Sequence, residues 1–460
     1  MRSKRLEKEL KSAREVFFGI SYPPVVSQFM SAAPDNRKEA VFFSCISPLS
    51  VYSTRLRLRY PFDSEVSGCQ LHVFVVGDQS AGKAALDSIQ RRISSKLLEH
   101  DAVERQKETD YENKVRSRSS TQKLPEPPKT CILVLPPSTS RYKICVRASN
   151  IYQKYADTLF FYVTTAELGT ILDANRMSFS DLRTINRLSY DLDALYGQDH
   201  GGEGFSGIVN INTSFLCFGT SNAINNYFNN SAILNGNLSR SIIVEITQNI
   251  GDNAPYYKPM SDHDNAIIDT MLEKLMNNIF ADDGEALQPT IEQDMSFLME
   301  DILEFQEEAK AEAIDKESWA IDIFRKRASV SAFRIAAICK YLYDISNEIL
   351  PADERFSDSQ ITEYTKAIYK YSAYFVLCGI LRRYGNRCEK LYQKEKEIMH
   401  SEGKHTLIDL LPDVFDKDML ETEIKESMLK TPSRVFISRW IKTGKVQQMD
   451  DGRYRKTTKL

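Results

Sequence analysis

The chain has 460 residues, too many for one ordinary hydrophobic core and enough for two or three domains. With 42% hydrophobic and 27% charged residues it has an ordinary globular composition, and a formal net charge of −3 says nothing by itself about a nucleic-acid partner. Eight cysteines are scattered without a C-x-x-C pair and six histidines without ligand spacing, which excludes a disulfide frame or a zinc site and reads as reduced thiols in a cytoplasmic protein.

The first residues, MRSKRLEKELKSAREV, carry Leu6, Leu10 and Val16 at helical spacing and have no apolar core of a signal peptide. After SYPPVV a second helical run passes through Phe42 and Val51, so residues 1–65 read as a helical collar. Leu71 to Val76 is a short apolar run of strand formers. Gly77-Asp78-Gln79-Ser80-Ala81-Gly82-Lys83 follows, then a helix with Leu86, Ile89, Ile93 and Leu97 on one face. Strand, glycine loop and helix form the context of the phosphate-binding pattern G-x-x-x-x-G-K-[ST]. In it backbone N–H groups cradle phosphates, the helix N-terminus adds positive potential and the lysine reaches the β/γ-phosphates. Ala84 stands where the pattern has a hydroxyl that ligates Mg²⁺.

Residues 104–129 are polar, charged and end in prolines, as in an exposed helix running into a linker. Four further strands are expected at Cys131 to Leu135, Thr158 to Val163, Ser214 to Gly219 and Ser241 to Ile246, separated by helical segments such as Ser178 to Leu195 and Asn222 to Asn229. Strands alternating with helices predict an α/β core over residues 66–260 with a mostly parallel five-stranded sheet. Tyr196 to Gly207, with five glycines and no Lys or Arg, reads as a surface loop. Residues 261–403 read as helical, with long segments around Ile291 to Ala313 and Ser329 to Ile345, and YSAYFVLCGIL is too short to span a bilayer. Over residues 404–460, three helical segments (Thr406 to Leu411, Asp418 to Leu429, Pro432 to Lys442) precede a hairpin turning at Asp450-Asp451-Gly452, the pattern of a winged helix-turn-helix.

Hydrolysis at such a loop needs a carboxylate to orient water. Glu167 follows the strand Thr158 to Val163 at the right place, though Ala166 stands where an Asp would usually precede it; otherwise Glu167 is a surface residue favoured at a helix start. Thr220 and Asn222, just beyond Ser214 to Gly219, can touch a γ-phosphate, cap the next helix, or do both. Arg240, immediately before the last strand, can reach a neighbouring subunit's phosphate as an arginine finger or lie at a strand edge. Arg327 and Arg334, seven residues apart on one helix, can serve a lid or a solvated face. In the C-terminal unit Arg434, Arg439 and Lys442 lie on the third helix and Arg453, Arg455 and Lys456 on the hairpin, where basic side chains suit DNA phosphates; a protein-contact domain is the alternative.

In order and spacing the segments SYPPVVSQFMSAAP, VVGDQSAGKAAL, LPPSTSR with LFFYVTTAELGTIL, FLCFGTSNAINNYF with NGNLSRSIIVEI, KRASVSAFRIAA, and LIDLLPDVF leading into GRYRK resemble a family of helicase-like P-loop ATPases of bacterial mobile elements (domain of unknown function 3987). The resemblance implies an AAA+ or superfamily-3-like ATPase core with a C-terminal winged helix. It implies ATP and Mg²⁺ as cofactors, ring assembly of like subunits, action on single-stranded or forked DNA, and a separate primase as partner. It also implies that Lys83 holds phosphate, Glu167 supplies the acid of the second motif, Thr220 or Asn222 acts as sensor, Arg240 as finger and Arg334 as lid arginine. The sequence departs from the family pattern at Ala84 and at Gly169, where an acidic residue is common. The expected activity is therefore a DNA helicase or translocase in replication of a mobile element or phage, with a nucleotide-binding, non-hydrolysing DNA-binding adaptor as the alternative.

Overall fold

A computed structural model of the chain describes residues 2–63, 65–119, 122–176, 183–192, 194–198, 206–281, 284–401, 407–426 and 432–457. It divides into two compact units, residues 1–389 and 390–460.

The first unit opens with α1 (Lys4–Phe17), α2 (Pro24–Ala32) and α3 (Lys38–Tyr52). β1 (Leu56–Arg59) and β2 (Val66–Ser67) precede β3 (His72–Gly77), α4 (Lys83–Ile93) and the long α5 (Ser95–Ser117). β4 (Val134–Leu135), α6 (Arg141–Tyr155), β5 (Phe160–Thr165), α7 (Leu168–Arg176) and α8 (Arg183–Leu188) come next. β6 (Leu195–Gln198) and β7 (Gly207–Asn210) form a hairpin leading into β8 (Asn212–Gly219), α9 (Ser221–Tyr227), α10 (Asn230–Leu234) and β9 (Ser241–Ile246). The remainder is α11 (Asp262–Asn277), short strands β10 (Phe280–Ala281), β11 (Ala286–Leu287) and β12 (Ile291–Glu292), then α12 (Met299–Asp315), α13 (Trp319–Ile349) and α14 (Asp358–Ser401), within which the two units divide.

β4, β5, β8, β3 and β9 form one sheet in that order, and every pairing is parallel. Their runs are fully or almost fully buried, as strands covered on both faces must be. The chain starts the sheet at β3, between β8 and the edge strand β9, and because the strands run parallel the carboxyl ends of β3, β5 and β8 lie on one edge. The registers Val76↔Gly219 and Thr165↔Cys217 hold those ends level.

α3 explains why the collar is no separate domain. It is buried from Ala40 to Tyr52, as a helix apolar on all sides must be. Ser47 Oγ donates to the Phe215 carbonyl at 2.9 Å and Ser50 Oγ to Ser214 Oγ at 2.6 Å, which fixes α3 on β8. Residues 1–65, 66–260 and most of 261–403 thus belong to one unit.

Three expectations change. The segment from Ile291 is not helical at its start: Ile291 and Glu292 pair parallel with Leu56 and Arg57, and the helix begins at Met299. Residues 196–207 are not a plain loop, because Leu195–Gln198 pairs with Gly207–Asn210; the intervening 199–205 lie outside the described residues. Of the helix expected over Ser178 to Leu195, α8 is observed and 177–182 lie outside the described residues.

The second unit contains α15 (Leu407–Leu410), β13 (Val414–Phe415), α16 (Lys417–Glu426), α17 (Ser433–Lys442), β14 (Val446–Gln448) and β15 (Tyr454–Lys456). The strands form an antiparallel sheet in the order β13, β15, β14, turning at Gly452 with φ 82°, a left-handed value suited to glycine. Its core holds Ile408, Leu411, Phe415, Leu420, Ile424, Ile437, Trp440 and Val446. All eight cysteines of the chain are buried and none is in a disulfide.

Candidate functional site

The glycine loop lies where the sequence puts it, between the buried strand β3 and the helix α4. Gly82 caps α4 at φ 82°, and Ser80 has φ 65°. These left-handed residues bend the chain back so that α4 starts directly above the strand end. Asp78, Gln79 and Ser80 are exposed and Ala81 is buried. Lys83 is the first residue of α4. Its Nζ donates to the carbonyls of Gly77 at 2.7 Å and Asp78 at 2.6 Å, so the ammonium sits over the loop. Partial burial pulls its pKa down, against the opposing charges of Asp78 and Glu167.

Glu167 follows β5 by two residues and is exposed. Its backbone is fixed: its N–H donates to Thr165 Oγ1 at 3.1 Å, and its carbonyl accepts from the Thr165 and Thr170 hydroxyls. That leaves the carboxylate to project from a rigid strand-to-helix turn. Among the described residues, its chain neighbours and its own helix backbone aside, no atom lies within 4 Å of where a side chain at Gly169 would start, so an acid would fit there without a clash.

Thr220 follows Gly219, the residue level with Val76, at the end of β8 next to β3. Its Oγ1 accepts from the Ala223 N–H at 3.4 Å, so it caps α9, as one of its two sequence readings has it. Asn222 is exposed on the first turn of α9. The structure therefore gathers Gly77 to Lys83, Glu167, Thr220 and Asn222 on one edge of the sheet.

It does not bring Arg240 and Arg334 there. Arg240 precedes β9, whose residues Ser241 and Ile246 are level with His72 and Gly77. Five residue steps of strand separate the two levels, roughly 17 Å. Arg240 Nη2 instead donates to Asp191 Oδ2 at 3.1 Å. Arg334 is buried, donates to the carbonyls of Gln70 at 3.1 Å and Tyr190 at 2.7 Å, and stacks 4.0 Å over the Tyr190 ring. The expected lid role over the chain's own loop does not match this placement; Arg334 ties α13 to the amino end of the sheet. A helix pattern in sequence gives the face of such an arginine but not the carbonyls that claim it.

Arg37 and Pro255 escaped the sequence reading. Arg37, 2% exposed, reaches the Thr247 carbonyl at 3.2 Å and the Ala81 carbonyl at 3.5 Å, joining the collar, the loop and the segment after β9. Pro255 closes on Gly82, where a Cβ would meet its Cγ at 2.6 Å. Neither belongs to a spacing pattern, so no local signal marks them.

Among the described residues no group of three His, Cys, Asp or Glu side chains is placed to hold a metal ion, and no helix is long and apolar enough to cross a membrane. The loop's bent backbone and lysine suit a polyphosphate. For a divalent cation, Ala84 brings no side-chain oxygen, and the carboxylates on this edge are those of Asp78 and Glu167.

In the second unit Arg434, Arg439 and Lys442 are exposed along α17. Arg453 is bound to Asp451, with Nε at 2.8 Å and Nη2 at 2.6 Å, and Lys456 Nζ donates to the Leu411 carbonyl at 2.6 Å. Arg455 is exposed on β15. Lys417, Arg434, Ile437, Ser438, Ile441, Lys442 and Tyr454 line a surface concavity of about 450 Å³.

No protein-family model matches the chain, and no curated protein matches it in sequence.

Proposed function

We propose that the chain is a nucleotide-dependent motor of the AAA+-like P-loop type, an ATPase that acts as a helicase or translocase on DNA during replication of a mobile element or phage. The observation that carries this reading is the sheet edge that the loop lysine, Glu167 and Asn222 share. Backbone N–H groups of residues 78–83 and the start of α4 would receive phosphate oxygens. Lys83 would exchange the carbonyls of Gly77 and Asp78 for phosphate. Glu167 would accept a proton from the attacking water, and Asn222 would orient it. Glu167 is the residue that would stand beside a divalent cation, which would supply charge neutralisation on the phosphates when bound. The C-terminal unit, read as a winged helix, would offer α17 and Arg455 to DNA backbone phosphates.

Turnover of ATP with and without single-stranded DNA tests the motor. The wild-type chain should hydrolyse ATP faster with DNA, and Lys83→Ala should abolish turnover; equal rates for the two chains would end the reading. Ala84 and Ala166 favour one alternative, an adaptor that binds ATP to assemble on DNA without hydrolysis. ATP-dependent oligomers without turnover would select it.

A further inference from the structure

Arg37, immediately before α3, is 2% exposed. Among the described residues its guanidinium has no carboxylate partner. The acids that flank it in sequence are engaged elsewhere, Asp35 with Lys38 at 2.7 Å and Glu39 with Arg14 at 2.7 Å. Its partners are carbonyls: Nη1 donates to those of Asn36 and Thr247, each at 3.2 Å, and Nη2 to that of Ala81 at 3.5 Å. Its Nε is buried without an acceptor among the described residues. The Tyr257 hydroxyl, on which the Arg37 charge acts, is likewise buried without a partner among them.

Neutral carbonyls solvate a guanidinium but do not neutralise it, and a buried charge is ordinarily paired with an opposite one. Arginine cannot escape by losing its proton. A residue needed only to fasten the collar to the loop could be a neutral donor, at a smaller cost of burial. The position therefore holds a positive charge that the lone chain leaves uncompensated.

The bond to Ala81 shows where that charge is directed. In a trans peptide the C=O and N–H point opposite ways, so a carbonyl facing Arg37 turns the Gly82 N–H toward the other face of the loop. That N–H is one of the backbone donors of the phosphate-binding pattern. One hydrogen bond, the peptide and a second hydrogen bond together place the guanidinium roughly 8 Å from an oxygen held there. At an effective dielectric of about 20, that distance is worth roughly thirtyfold in binding per unit charge, before solvent and ions screen it. The frame is fixed as well. The Lys258 N–H donates to the Ala32 carbonyl at 2.8 Å, so residues 247–258 are tied to the collar at both ends, and Pro255 between them closes on Gly82.

We propose that Arg37 is a positioning residue of the glycine loop: from behind it, through the Ala81–Gly82 peptide, its charge raises the affinity of the loop for a polyphosphate that it never touches. This rests on the nucleotide reading above and adds to it a counter-charge supplied by the collar, 44 residues before Ala81 in the chain.

The test is equilibrium binding of a fluorescent ATP analogue to the full chain with Mg²⁺, and its displacement by ATP and by inorganic tripolyphosphate. Arg37→Gln keeps a donor for the carbonyls and removes the charge. It should weaken ATP and tripolyphosphate alike, each about tenfold. Arg37→Lys keeps the charge on a different donor geometry and should stay within about threefold of wild type. Melting temperature without ligand checks that the variants fold. Should Arg37→Gln not fold, Arg37→Lys decides, and a loss of about tenfold or more in that variant overturns the inference. If the two variants lose equally, or neither loses while Lys83→Ala loses nucleotide, the charge is not what Arg37 contributes; the inference is overturned and the nucleotide reading stands. If Arg37→Gln weakens ATP but not tripolyphosphate, Arg37 acts on the base or sugar through residues 247–258, and the inference is likewise overturned. If the wild-type chain binds neither ATP nor tripolyphosphate, both readings fall.

Discussion

Lys83 closes on its own loop, donating from Nζ to the Gly77 carbonyl at 2.7 Å, six residues back along the chain. That carbonyl and the one from Asp78 occupy the ammonium where phosphate oxygens would otherwise take it. Ala84, the next residue of α4, is exposed and brings no side-chain oxygen. Ala84→Thr should therefore add the missing metal ligand at little structural cost, about 0.5 kcal/mol of helix propensity. The expected outcome is a larger ATP-induced rise in melting temperature with Mg²⁺ than in the parent, and an unchanged rise with EDTA. An equal gain in both conditions would show that the hydroxyl does not meet a metal.

His72 gives a pH signature. It is buried at the start of β3, its Nε2 3.1 Å from the Thr213 carbonyl oxygen, with Arg334 and Arg240 close enough to repel a second proton. Burial first, then those charges, push its pKa down to about 3. In the unfolded chain the value is about 6.5. Between these limits the unfolded chain binds a proton that the folded chain does not, so stability is full above about pH 6.5 and falls as the pH drops. The slope should approach 1.4 kcal/mol per pH unit, roughly, well below pH 6.5. Urea unfolding at pH 7.5, 6.5 and 5.5 reads it, and His72→Gln should flatten the curve over that range. A curve as steep in the variant would assign the slope to other groups.

The parallel core was legible because buried strands are written as continuous apolar runs, and the loop because its glycines and lysine have fixed spacing. FLCFG became β8 and SIIVEI became β9 with boundaries within two residues of expectation. What sequence could not supply was tertiary pairing. Ile291 and Glu292 make a two-residue strand whose only signal is a partner more than two hundred residues away. Arg334 has the spacing of an exposed helix edge, yet the carbonyls of Gln70 and Tyr190 turn it inward. Glu167 and Asn222 share one edge with the loop because β8 lies between β3 and β5, an order no local pattern encodes.

The polar face of α5 is another case, since its carboxylates look solvated in sequence. Asp101 accepts from the N–H groups of Leu133 at 2.8 Å and Val134 at 2.7 Å, and Glu104 accepts from the Cys131 N–H at 2.7 Å. They serve donors on the outer edge of the sheet beside β4, which would otherwise be open to another strand. Asp101→Ala leaves one buried and one half-buried N–H group unpaired and should cost about 2–4 kcal/mol. Lys107→Ala removes only the half-exposed partner of Glu104 and should cost at most about 1 kcal/mol. Denaturant midpoints of the two variants should separate accordingly; equal midpoints would mean that the N–H groups find water instead.

The C-terminal unit predicts a ranking among its basic residues. Arg434, Lys442 and Arg455 are exposed and, among the described residues, have no acidic partner. Arg453 is bound twice to Asp451 and Lys456 is held by the Leu411 carbonyl. A phosphate must compete with those bonds, so the paired groups should release fewer counterions on binding. With DNA retention by the full chain measured across salt concentrations, Arg434→Ala and Lys442→Ala should each reduce the salt slope by about one. Arg453→Ala should change it by clearly less, because the same substitution frees Asp451 and adds repulsion that is screened by salt. If Arg453→Ala costs as much slope as Arg434→Ala, Arg453 leaves Asp451 on binding and the hairpin takes an equal share of the phosphate contacts. If none of the three changes the slope, the basic face of α17 does not meet DNA and serves a protein partner instead.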